Sequence, residues 1–203
     1  MSGERPAGYA TVMSASEPPT TFVPLTEARG PLELRKESWR KGAHDLLAGD
    51  APVARLDYAQ WSGKTRAQAA DGEWAFGRTK GFSHRTIKVV DPGSERELAS
   101  FARRTWKRGG SVELGGATYA LTASGMFKPA WRWERDGREL LAVEQTSSLG
   151  ETKARVTLTD AGRTDPNASL LVLLAIHVAL TSSSESAAGA SAAAGSTGAV
   201  GGS

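Results

Sequence analysis

Leu170-Leu171-Val172-Leu173-Leu174-Ala175-Ile176-His177-Val178-Ala179-Leu180 is apolar on every side of a helical wheel. A helix with no polar face must be surrounded, by protein or by lipid. Its start carries local signals: Asp165 is placed to cap the first turn, and Pro166 suits the first helical position, where no amide donor is needed. Thr181-Ser182-Ser183-Ser184 marks the expected end. The predicted helix, 166–180, has its apolar part at 168–180, roughly 20 Å long at 1.5 Å per residue. A hydrocarbon core about 30 Å thick needs about 20 apolar residues. The segment is therefore read as the buried centre of a fold, with insertion of 168–180 into lipid as the alternative.

Residues ahead of the helix alternate apolar and polar side chains over short runs separated by Gly and Asp turns. Examples are Leu32 and Leu34, Ala54 to Tyr58, Trp74 and Phe76, Ile87 and Val89, Tyr119 to Ala123, Trp131 and Trp133, and Val156 and Leu158. Period-two alternation is the strand signature, and Asp-Gly between runs marks a hairpin. About twelve strands are predicted, near 31–38, 43–49, 53–60, 64–70, 73–79, 84–90, 96–103, 111–115, 117–124, 128–136, 138–145 and 151–159. The links are too short for crossover helices, so pairing is antiparallel. A dozen one-sided strands and one wholly apolar helix predict an all-β closed barrel enclosing the C-terminal helix. Closure removes sheet edges, and a barrel of this size needs a filling.

The chain divides into a flexible N-terminal tail at 1–28, a barrel with its core helix at 29–180, and a disordered Ser/Ala/Gly-rich tail at 181–203. Residues 1–29 carry net −1 and 164–203 net −2, so the middle carries +6 of a total of +3. That bias suits anionic surfaces but lacks the dense stripe of a dedicated nucleic-acid binder. With no cysteine, disulfides, thiolate metal sites and a cysteine nucleophile are excluded. The first residues lack an apolar secretory core, so a cytoplasmic location is expected. The preference for Arg over Lys, with abundant Ala and Gly, points to a GC-rich bacterial source.

The strands from Leu32 to Leu158 and the closing helix from Asp165-Pro166-Asn167 to Leu180 resemble the tubby C-terminal-like superfamily. That group includes tubby proteins, phospholipid scramblases and plant LURP-one-related proteins. The resemblance implies the barrel-around-helix fold. It implies no activity, because the scramblase calcium pattern and the phosphoinositide-binding lysines and arginines of tubby proteins have no residue-by-residue counterpart here.

Ser62-Gly63-Lys64-Thr65 looks like the end of a phosphate-binding loop, but the motif's first glycine falls on Tyr58, and no helical spacing follows. A hairpin turn is expected there. His44, His84 and His177 are far apart and form no metal-ligand spacing. His177 is expected to be a core histidine bonded to the barrel wall. Trp131 and Trp133 share one face and belong in the wall or core. Arg103-Arg104-Thr105-Trp106-Lys107-Arg108 is the densest basic cluster, a candidate contact for anionic lipid headgroups with Trp106 at the interface. The functional expectation is thus a non-enzymatic scaffold or binding module with no cofactor. It would be monomeric and peripheral to a membrane, touching anionic lipid and an unidentified protein but no specific nucleic acid. A small barrel ligand carrier or enzyme is the further alternative.

Overall fold

The computed structural model describes residues 21–36, 42–59, 64–78, 86–103, 109–125, 129–148 and 151–194. Twelve strands run in chain order: β1 (Leu32–Lys36), β2 (Ala43–Ala48), β3 (Ala51–Ala59), β4 (Lys64–Ala69), β5 (Gly72–Arg78), β6 (Thr86–Val90), β7 (Glu97–Arg103), β8 (Gly110–Leu114), β9 (Ala117–Ser124), β10 (Ala130–Arg135), β11 (Arg138–Ser148) and β12 (Glu151–Leu158). Two helices follow, α1 (Asp160–Arg163) and α2 (Ala168–Ala194). Each strand pairs antiparallel with the next, and β1 pairs with β12 to close the barrel.

The period-two pattern explains this arrangement. Leu32 and Leu34 on β1 and Val156 and Ala154 on β12 are register partners, and all four are buried. Glu33 and Arg155 between them face outward and lie 3.7 Å apart as an ion pair. The inward positions enclose α2, whose residues Leu171 to His177 have no exposed surface. Burying each large aliphatic side chain is worth about 1.5–3 kcal/mol, so the helix is a major source of core energy. Its residues 168–180 are buried inside the barrel, surrounded by protein. Among the described residues, no helix is long and apolar enough to cross a membrane.

The helix enters at one end of the barrel, here the near end, and leaves at the far end. A meander places alternate connections at opposite ends. The near end holds the links after β2, β4, β6, β8 and β10, together with α1. The far end holds the last residues of β1, β3, β5, β7, β9 and β11.

The helix boundaries differ from those expected. Asp165, Pro166 and Asn167 form a turn, and α2 starts at Ala168, whose amide donates to the Asp165 carbonyl at 3.1 Å. The helix also continues past Thr181-Ser182-Ser183-Ser184 to Ala194. The Thr181 hydroxyl donates back to the carbonyls of His177 and Val178, so its polar group is satisfied inside the helical path. At the other terminus, the Val23 amide donates to Pro52 O at 2.8 Å, and Leu25 and Ala28 are buried. Packed chain therefore begins ahead of residue 29.

Among the described residues, three bulges interrupt the ladders, leaving Val53, Leu98 and Leu140 as extra residues on β3, β7 and β11. Leu140 is buried and supports α1: its carbonyl accepts from both the amide and the hydroxyl of Thr159. The Thr159 hydroxyl in turn caps α1 by accepting from the Gly162 amide at 3.1 Å. Gly162 sits so close to the Leu140 carbonyl that a Cβ there would collide with it.

Candidate functional site

Among the described residues, the helix is held at four levels. At the near end the Asp165 carboxylate has no exposed side-chain surface. It accepts from Arg135 Nη1 at 2.6 Å, from the Tyr119 hydroxyl at 3.1 and 3.2 Å, and from the Asn167 amide at 2.9 Å. Asn167 Nδ2 donates to the same Tyr119 oxygen at 3.1 Å. The hydrogen bond with Tyr119 and then the charge of Asp165 raise Arg135 above its ordinary pKa. Sequence reading found Asp165 as a cap and missed these partners, because 46 residues separate it from Tyr119 and 30 from Arg135. A tyrosine and an arginine both on inward positions of neighbouring strands were the available signal.

One turn further in, the indole of Trp133 donates to the Leu171 carbonyl at 2.8 Å. Its ring meets Phe101 edge-on at 5.7 Å between centroids. Trp131 and Trp133 are both buried and both inward, as their spacing predicts. Among the described residues, Trp131 Nε1 has no hydrogen-bond partner.

Deeper still, His177 Nδ1 lies 2.9 Å from Thr65 Oγ1. The Phe76 and Tyr58 rings stand 5.3 and 6.3 Å from the imidazole, and Tyr58, Thr65 and Phe76 are register neighbours on β3, β4 and β5. His177 is thus a core histidine bonded to the barrel wall, as its sequence context suggests. Lys64 and Thr65 open strand β4, with no helix after them; Ser62 and Gly63 lie outside the described residues. This removes the helix N-terminus that a phosphate loop requires.

At the far end Arg103 is half-buried and donates from Nη2 to Ser182 Oγ of α2 at 3.1 Å. It therefore reaches inward to the helix. Arg104, Trp106, Lys107 and Arg108, the rest of the basic cluster, lie outside the described residues, as does His84. His44 is buried on β2 beside the same end, with Nδ1 2.9 Å from Gly42 O. Burial lowers its pKa, and the Gly42 hydrogen bond opposes that shift.

The outer wall carries mixed charge in pairs: Arg55 with Asp45 and Asp57, Lys88 with Glu97, and Arg132 with Glu139. An open depression of about 200 Å³ at the near end is lined by residues that include Arg66, Gln68, Glu73 and Trp74. It is smaller than ordinary small-molecule sites, which occupy about 300–1,000 Å³. Among the described residues, no group of three or more His, Asp or Glu side chains is arranged to hold a metal ion.

No family model matches the chain, and neither a curated protein nor a solved structure does.

Proposed function

We propose that this chain is a non-catalytic binding module of tubby-like type that works from the surface of its barrel and touches anionic membrane lipid. The supporting observation is that α2 fills the interior from Ala168 to Ser182. The space a carrier or a barrel enzyme would use for a ligand is taken up by the fold's own side chains. Recognition then falls to the outside, and the paired charges of the wall leave the basic link after β7 as the contact of clearest sign. On this reading the protein is peripheral to the membrane, with Trp106 at the headgroup level and Arg104, Lys107 and Arg108 on lipid phosphates.

Arg103 is excluded from the test because it holds Ser182. Arg104, Lys107 and Arg108 replaced together by Ser should lower affinity for acidic liposomes by about a hundredfold at low salt, at about 1 kcal/mol per charge and 1.4 kcal/mol per factor of ten. Flotation with and without phosphatidylserine measures this. Wild-type protein that ignores acidic liposomes would sink the reading.

A further inference from the structure

Lys88 and Glu97, Arg132 and Glu139, and Arg66 and Glu73 share one diagonal relation on the outer wall. In each, the acidic residue lies opposite the position two residues beyond the basic one, across β6 and β7, β10 and β11, and β4 and β5. The first two close into ion pairs at 2.5 and 3.3 Å. Each of those ladders carries a bulge, at Leu98 and at Leu140, and a bulge re-aims the side chains beside it. The β4–β5 ladder is regular from Thr65 to Ala69. Diagonal neighbours on a regular ladder stand about 7–8 Å apart. Glu73 turns instead to its direct partner and accepts from Gln68 Nε2 at 3.0 Å. On the other side Arg66 faces Asp57 of β3, which Arg55 engages at 3.6 Å. Arg66 is exposed and, among the described residues, has neither an ion pair nor a hydrogen bond.

Arg66 and Glu73 both line the depression of about 200 Å³ at the near end, together with Gln68, Trp74, Pro92 and Gly93. Its walls are fixed. Asp91 Oδ1 accepts from the Gly93 amide at 2.8 Å and from the Ser94 amide at 3.1 Å, which pins the link after β6. The Trp74 ring packs so closely over Gly72 that a Cβ there would lie 2.9 Å from it. The volume is that of about seven waters. This is room for a free amino acid and too little for a nucleotide.

We propose that the depression binds a small zwitterion, an α-amino acid with an apolar side chain. The ligand carboxylate meets the Arg66 guanidinium, whose planar fork suits it. The ammonium meets the Glu73 carboxylate and Gln68 Oε1, which is left to accept while Nε2 donates to Glu73. The side chain lies against Trp74 and Pro92. A singly charged ligand leaves one of the two wall charges unanswered. A zwitterion answers both and completes the pair that the bulged ladders close for themselves. The site is open to water, so its charges are screened and the affinity is in the millimolar range. It is separate from the lipid contact after β7, and neither reading depends on the other.

The test titrates isotope-labelled full chain with L-leucine at low salt and follows the backbone amide shifts. Saturable shifts are expected at Arg66, Gln68, Glu73, Trp74 and Gly93. Leucinamide lacks the carboxylate and N-acetyl-leucine lacks the ammonium. Each should bind about fivefold more weakly than leucine, as for the loss of one exposed ion pair. Arg66→Gln should bind leucine and leucinamide equally, and Glu73→Gln should bind leucine and N-acetyl-leucine equally, both with the wild-type thermal midpoint. If N-acetyl-leucine binds wild type as well as leucine does, the depression is an anion site on Arg66 and the zwitterion is wrong. If phosphoethanolamine saturates the shifts and leucine does not, the ligand is an amino phosphate and the amino acid is wrong. No saturable shift with leucine or phosphoethanolamine overturns the site altogether, whatever liposome flotation shows.

Discussion

His177 Nδ1 and Thr65 Oγ1, 2.9 Å apart, join the middle of the core helix to strand β4 across 112 residues of sequence. Both are buried, so the pair sits where water cannot replace a lost hydrogen bond. Thr65→Val keeps the shape and removes the hydroxyl. It should destabilise by about 1–3 kcal/mol, the cost of leaving a buried polar atom short of a partner. Thr65→Val combined with His177→Leu should recover part of that loss. Urea unfolding of the two singles and the double gives the coupling; full additivity would show that the pair does not interact.

The near-end lock should be graded. Asp165→Ala removes a buried carboxylate from Arg135, Tyr119 and the Asn167 amide at once. Arg135 is about a third exposed, with 36% of its side-chain surface open, so water softens the loss. A cost of about 1–3 kcal/mol is expected, against about 1 kcal/mol for Tyr119→Phe. Equal stability of Asp165→Ala and wild type in denaturant would contradict the lock.

Filling the barrel should be indispensable. Leu173→Asp puts a charge at a position with no exposed surface, and soluble native protein should not be recovered. A chain ending at Asp165 should fail to fold. One ending at Ser184 should keep the wild-type thermal midpoint, since the buried part of α2 is retained. A cooperative melt from the Asp165 truncation would disprove the role of the helix.

His44 should make the protein acid-sensitive. Its folded pKa lies below the ordinary value because burial disfavours the charged ring. The unfolded state then binds the proton more readily. The contribution is fully present above the unfolded pKa of about 6.5 and is lost as pH falls from there toward the folded value. His44→Gln should flatten that part of the stability profile measured by urea unfolding across the range. An unchanged slope would assign the acid sensitivity elsewhere.

Most of the wall was legible because alternation along Leu32–Arg35, Trp131–Glu134 or Arg155–Leu158 depends only on which side chains face a core. The plug was legible because residues 170–180 have no polar face. The bulges at Val53, Leu98 and Leu140 were not, since an extra residue in one strand is defined against its partner. Leu25 and Ala28 were assigned to a tail because two isolated apolar residues make no period. Serines 182–184 were read as a stop, yet a helix already anchored by the buried run from Ala168 to Thr181 propagates through Ala and Ser at small cost per residue. The candidate site was legible only as the local density of 103–108.

The plug comes after every strand that surrounds it. During synthesis the wall of the barrel leaves the ribosome first, with Phe76, Phe101, Tyr119, Trp131 and Trp133 turned toward an interior that has no contents. Sequential hairpins can form in that interval, but the β1–β12 seam encloses nothing until residues 168–182 emerge. A chain stalled before the helix therefore presents an open, aromatic-lined sheet, the kind of intermediate that chaperones hold and proteases remove. Completion of the last segment, rather than pairing of the strands, is the step that commits this protein to its native state.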